Sequence, residues 1–282
     1  MVKIISDSTS DLSKDLIEKY DISILPLHVL FGSEEHEDGV DVTPDEIYRW
    51  SDANKTTPKT SAPSLERAME ILKPYVDEGR EVVAFSIASG MSTTGNVIRL
   101  AAEALEAEAL VTVIDSANLS TGIGLLIIEA AVMAQEGKSA GEIAAYIETL
   151  KPLVRASFVV DTLTYLHRGG RCSGLAAMAG GVLKLHPRIA VKDGKMEPGK
   201  KYRGKIDKVI MDYVKDMEDD LKNAKKDRVF ITHSGCDKNI VDKVRTYLES
   251  LDVFDEVLET RAGSVISSHC GPGTLGVLFI SK

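Results

Sequence analysis

Four segments hold more hydroxyls, glycines and basic side chains than packing requires: KTSAPS at residues 59–64, SGMSTTG at 89–95, LHRGGRCSG at 166–174 and SSHCGPGTLG at 267–276. Thr60 and Ser61 in the first, and Ser92 and Thr93 in the second, put hydroxyls and backbone N–H groups near predicted helix starts, which are the parts of an anion site. The same residues also serve as N-caps and tight turns, the better reading for Ser64. Neither loop is a phosphate-binding GxxxxGK[ST] or a dinucleotide GxGxxG. His269 follows two serines in a segment whose glycines let backbone approach closely. With Ser92 it supplies two members of a hydrolase triad, although the GxSxG elbow and the HExxH zinc pattern are both missing. Arg168, Arg171 and Arg203 offer a basic spot for a phosphate or an acidic partner, or ordinary salt bridges. Asp7, Asp11 and Asp115 stand at predicted strand ends; helix capping explains them more simply than metal ligation or general-base work. His167 reads as a surface residue, His233 as a packing or locally hydrogen-bonded one, and His186 carries no functional expectation.

These residues need a scaffold. With 282 residues, 44% hydrophobic and 27% charged, the chain has ordinary globular composition and room for two domains. A formal charge of −9 steers it away from nucleic acid and anionic lipid. Cys172, Cys236 and Cys270 form neither a CxxC pair nor a zinc pattern, so no metal is expected and a reducing cytoplasm fits. The start MVKIISDSTSD lacks the basic and apolar regions of a signal peptide. The most apolar run, 122–134, is interrupted by Glu129 and is too short to span a bilayer, so a soluble protein is expected.

Strand patterns at 2–6, 22–31, 81–87 and 110–115 alternate with helical ones: one through Leu12, Leu16 and Ile17, then 44–50, 64–77, 96–108, 121–135 and 140–150. That alternation predicts a parallel, Rossmann-like sheet covered on both faces, with ligands at the carboxyl ends of its strands. Beyond Arg155 the order changes. Strands at 157–161, 188–191, 195–197, 228–233, 253–260 and 275–280 mix with helices at 175–183, 206–222 and 239–251. The expected architecture is two-domain α/β, a parallel domain over 1–155 and a mixed-sheet α/β domain over 156–282.

The ordered set DSTSDL, TSAPS, SGMSTTG, VIDSANLSTGIG, YLHRGGR, KYRGK and HCGPGTLGV resembles the DegV family from end to end. The resemblance implies a non-catalytic lipid-binding protein that holds one long-chain fatty acid in a tunnel between two domains. A separate kinase subunit would phosphorylate the bound carboxylate, and the acyl phosphate would feed phospholipid synthesis. It implies no cofactor. Carried over by motif, the headgroup residues are Thr60, Ser61, Ser92, Thr93 and His269, and Arg171 and Arg203 are linked with kinase docking. This chain departs from the family pattern at Ala62, at Thr93-Thr94-Gly95 and at His186-Pro187. A sixteen-carbon chain would gain on the order of 10 kcal/mol from burial, before ordering costs of several kcal/mol. The small residues at 175–182 are candidates to line its tunnel. An acyl or ester hydrolase, and a small-molecule or phosphate-binding regulator, are the alternative functions.

Overall fold

A computed structural model describes residues 1–172 and 185–282; the small-residue helix expected at 175–183, and with it the tunnel-lining candidates, lies outside the described residues. The first half runs β1 (Lys3–Asp7), α1 (Lys14–Lys19), β2 (Ile22–Leu25), β3 (His28–Phe31), β4 (Glu34–Glu37), α2 (Pro44–Asn54), β5 (Lys59–Ser61), α3 (Leu65–Asp77), β6 (Val82–Ser86), α4 (Thr94–Ala104), β7 (Val111–Asp115), α5 (Thr121–Gln135) and α6 (Ala140–Leu150). The second runs β8 (Val154–Val159), α7 (Thr164–Gly169), β9 (Leu185–Lys192), β10 (Lys195–Arg203), α8 (Ile206–Lys215), α9 (Glu218–Lys222), β11 (Ala224–His233), α10 (Lys238–Ser250), β12 (Glu256–Arg261), α11 (Ser264–Cys270) and β13 (Leu275–Ser281).

The β-branched runs of β1, β6 and β7 pair in parallel with β2, in the order β2-β1-β6-β7. Helices α3 and α4 cover one face through Ala68, Leu72, Ile98 and Ala101. A mixed six-stranded sheet, β10-β9-β8-β13-β11-β12, forms the other half, and only its β11–β12 pair is parallel. Tyr213, Val214, Val241 and Leu248 of α8 and α10 pack on its outer side. Helix α5 lies between the two sheets, against β1 and β6 on one side and β8 and β13 on the other. That position explains its sequence: a helix apolar all round must be buried all round, and twelve of its fifteen residues are. Its one acid, Glu129, meets Lys225 and Arg228 of β11 at 2.5 Å each.

The α/β fold therefore matches expectation, with three local corrections. The apolar run 22–31 is two strands in different sheets, because Pro26 interrupts the ladder. Its second part joins a three-stranded antiparallel sheet, β4-β3-β5. The helix expected at 206–222 breaks at Asp216–Met217 into α8 and α9. Residues 264–270, expected as a glycine-rich loop, form α11. Residue 155 falls on the second position of β8. No helix of the described residues is long and apolar enough to cross a membrane.

Candidate functional site

Strand ends build the site. At the end of β1, Asp7 accepts from the Thr9 amide (3.0 Å) and from the Ile87 amide at the end of β6 (2.7 Å). At the end of β7, Asp115 accepts from Ser89 (3.3 Å) and Ala117 (2.9 Å). The loop after β6 is thereby pinned from both neighbouring strands. Within it, Ser92 Oγ accepts from the Thr94 amide (3.3 Å) and shares a hydrogen bond with Thr94 Oγ1 (2.9 Å), which starts α4.

Helix α11 is anchored in the same way. Buried Asp11 accepts from the Gly263 amide (2.8 Å) and from Ser120 Oγ (2.5 Å), and buried Asp38 accepts from the Ser264 amide (2.7 Å). Two carboxyls thus hold amides that open the helix. Burial drives Asp7 up to about 6 and Asp11 up to about 8, against the opposing pull of these hydrogen bonds. It raises Asp38 as well. Of the three acids expected to cap helices, Asp7 caps the short turn Ser8–Ser10, whereas Asp11 ties Ser120 to the start of α11 and Asp115 holds loop amides.

The last turn of α11 places His269 Nε2 2.8 Å from Thr60 Oγ1 on β5. Burial, aided by the nearby charge of Arg171, lowers the imidazole to about 4, so it is neutral at pH 7. Its buried Nδ1 has no hydrogen-bond partner among the described residues. Gly169, at the end of α7, explains how backbone comes so near: a Cβ there would overlap Nδ1.

Thr60, Ser61, Ser92, Thr93, His269 and Arg171 all line one cavity of about 410 Å³. Arg203 is outside its lining, exposed at the end of β10. The same cavity is also lined by Leu27, Ile87, Met91, Leu119, Met196 and Ile266. Those apolar residues were not anticipated, since side chains from five separate segments leave no common spacing to read. Met196 reaches the wall because the tip of the β9–β10 hairpin, with Asp193 and Gly194 at positive φ, lies over Ala88 and Gly90.

The cavity thus offers hydroxyl and imidazole groups to an anion and aliphatic side chains to hydrocarbon. Ser92 Oγ is engaged with Thr94 and His269 with Thr60, and among the described residues no acid meets Nδ1, so Ser92 and His269 do not form a nucleophile–base–acid relay there. Cys270, also in the wall, is pushed up to about 12 by burial and stays a thiol. Among the described residues no group of three or more His, Cys, Asp or Glu is disposed to hold a metal.

Comparison with known proteins gives the context. A family model described as an uncharacterised protein, DegV family, matches residues 1–282. A DegV domain-containing protein of Clostridium acetobutylicum is 31% identical over 283 residues, covering 100% of this chain and 99% of the relative. A DegV family protein from Thermus thermophilus, solved in a study of its fatty acid binding, superposes with a TM-score of 0.90 at 31% identity, over 100% of this chain and 99% of that one. A stearic acid-binding protein from Eubacterium ventriosum gives 0.86 at 32% identity, with the same coverage. With the motifs, the two-sheet fold and a family model that runs from end to end all in agreement, the chain belongs to the DegV family.

Proposed function

We propose that the chain binds a long-chain fatty acid in the 410 Å³ cavity. The carboxylate faces Thr60, Ser61, Ser92, Thr93 and His269, and the tail follows a tunnel between an N-terminal domain (1–155) and a C-terminal one (156–282). The observation that carries this reading is the mixed lining of the cavity: hydroxyls and a neutral imidazole share it with the aliphatic side chains of Leu27, Ile87, Leu119 and Ile266. The fatty acids bound by the Thermus and Eubacterium proteins support it. Neutral donors hold a carboxylate less tightly than a buried arginine pair would, which suits a headgroup that must react and leave.

In the same proposal the protein is not itself a catalyst. It works in the cytoplasm and presents the carboxylate to a separate kinase subunit, which makes the acyl phosphate for phospholipid synthesis. Arg171, exposed at the cavity and hydrogen-bonded to the Gly169 carbonyl at 2.8 Å, stands where it can neutralise charge on the headgroup as well as meet a partner. Arg203 is left as the docking residue. The test is mass spectrometry of small molecules extracted from purified, denatured protein, followed by incubation of the loaded protein with ATP and a fatty-acid kinase subunit. A stoichiometric fatty acid that becomes acyl phosphate only with the kinase present is the expected result. An empty extract and no uptake of added palmitate or oleate would overturn the binding reading. A bound acid that the kinase never phosphorylates would overturn the presentation step alone.

A further inference from the structure

Behind the main cavity lies a second, smaller chamber of about 30 Å³. Leu119, Ile266 and Cys270 line both spaces and form the wall between them. All three are buried, and Ile266 and Cys270 are four residues apart on α11, hence on one face of that helix. The chamber reaches the inner side of the six-stranded sheet, at Phe158, Gly276 and Leu278.

Its polar side chains are all committed elsewhere. Thr232 Oγ1 shares hydrogen bonds with Thr121 (2.6 Å) and Thr260 (3.0 Å). Ser120 donates to Asp11 (2.5 Å), Ser234 to the Gly271 carbonyl, and Thr274 Oγ1 to the Cys270 carbonyl (2.9 Å). His233 Nδ1 accepts from the Gly235 amide (3.2 Å), and its Nε2 lies 3.5 Å from Glu259. A water in a buried chamber needs two to four polar partners. This chamber offers few, so it suits a methyl end better than a water.

Resting on the fatty-acid reading, we propose that Leu119, Ile266 and Cys270 form a septum that sets the longest acyl chain the protein accepts, with the small chamber as the space beyond it. Ile266→Ala removes three carbons from the septum and joins the two spaces. Ala262→Val adds two methyl carbons to the wall of the small chamber without touching the headgroup.

The experiment loads each variant with an equimolar mixture of saturated fatty acids of increasing even chain length and identifies the retained acids by mass spectrometry, with thermal melts as the check on folding. Ile266→Ala is expected to shift retention to longer chains, by roughly tenfold for two further buried methylenes. Adding Ala262→Val is expected to reverse that shift. The same chain-length ranking in all folded variants would overturn the septum while leaving the binding reading intact. If Ile266→Ala does not fold, Ile266→Val and Ala262→Val decide: a shift towards longer acids in the first with an unchanged profile in the second supports the septum, and an unchanged profile in the first, or selective loss of the longest retained acids in the second, overturns it. No uptake of any acid by the parent protein overturns the binding reading, and the septum with it.

Discussion

Ser92 has two jobs. Its hydroxyl bonds to Thr94, ahead of α4, and lines the cavity. Ser92→Ala should therefore cost about 1 kcal/mol of stability from the lost hydrogen bonds, and should weaken fatty-acid binding in titrations of a protein that still melts cooperatively. Unchanged affinity would remove Ser92 from the headgroup site. His269 gives a pH signature. Its folded value of about 4 lies below the ordinary 6.5, so stability is complete above pH 6.5 and falls as pH drops towards 4, while the unfolded chain gains a proton that the folded one refuses. A bound carboxylate favours the imidazolium, so it should raise the His269 value and draw in a proton. Histidine NMR titrations with and without ligand should show that rise; identical titrations would place the anion elsewhere.

At the scale of elements, α11 organises the site, and its placement depends on neighbours that cannot take other residues. Gly169→Ala would drive a methyl into the His269 ring, so it should lower fatty-acid affinity about as much as His269→Ala does, with α7 itself scarcely affected. Parallel titrations of both variants check this. Asp11 anchors the other end of the helix. Its folded value of about 8 exceeds the ordinary 3.8, so its contribution is complete below pH 3.8 and is lost as pH rises through 8. Asn mimics the protonated side chain, one oxygen accepting from Gly263 and an amide facing Ser120. Asp11→Asn should accordingly lose less melting temperature than the parent between pH 5 and pH 9. Much of this organisation was legible in the residues. The Thr43–Glu46 capping box and the Ser64 cap open α2 and α3 where expected. Other elements were hidden for physical reasons. Helix α11 has three serines and a glycine at either side, poor intrinsic helix formers, and it exists because Asp11, Asp38 and its burial hold it. Strand β4 reads Glu-Glu-His-Glu and takes its conformation from pairing with β3. Strand β10 runs past the expected 195–197 because a register shift between Pro198 and Lys201 absorbs its Pro-Gly. The hydroxyl and imidazole residues that line the cavity were singled out through their motifs; the apolar wall was not, because it assembles only in three dimensions.

For the molecule as a whole, the decisive feature is that one apolar core spans both sheets. Phe85 of the parallel sheet, Leu126 of α5, and Phe158 and Leu278 of the mixed sheet belong to a single cluster. The two halves should therefore unfold together. Leu126→Ala should cost about 2–5 kcal/mol and lower the denaturant midpoint equally for fluorescence of the single tryptophan, Trp50, and for circular dichroism. Separated midpoints would show that the sheets are independent folding units. The order of strands in the mixed sheet has a consequence for synthesis. Strand β13 sits between β8 and β11, yet it follows both in the chain. At about 5–20 residues per second, a ribosome needs roughly 6–24 s to pass from β8 to β13. During that interval β8 has no β13 edge to pair with and the inner face of α5 has only half its cover. The nascent chain thus spends seconds as a finished parallel sheet carrying an unclosed apolar flank, and in that interval a chaperone, or a neighbouring nascent chain, has its opportunity.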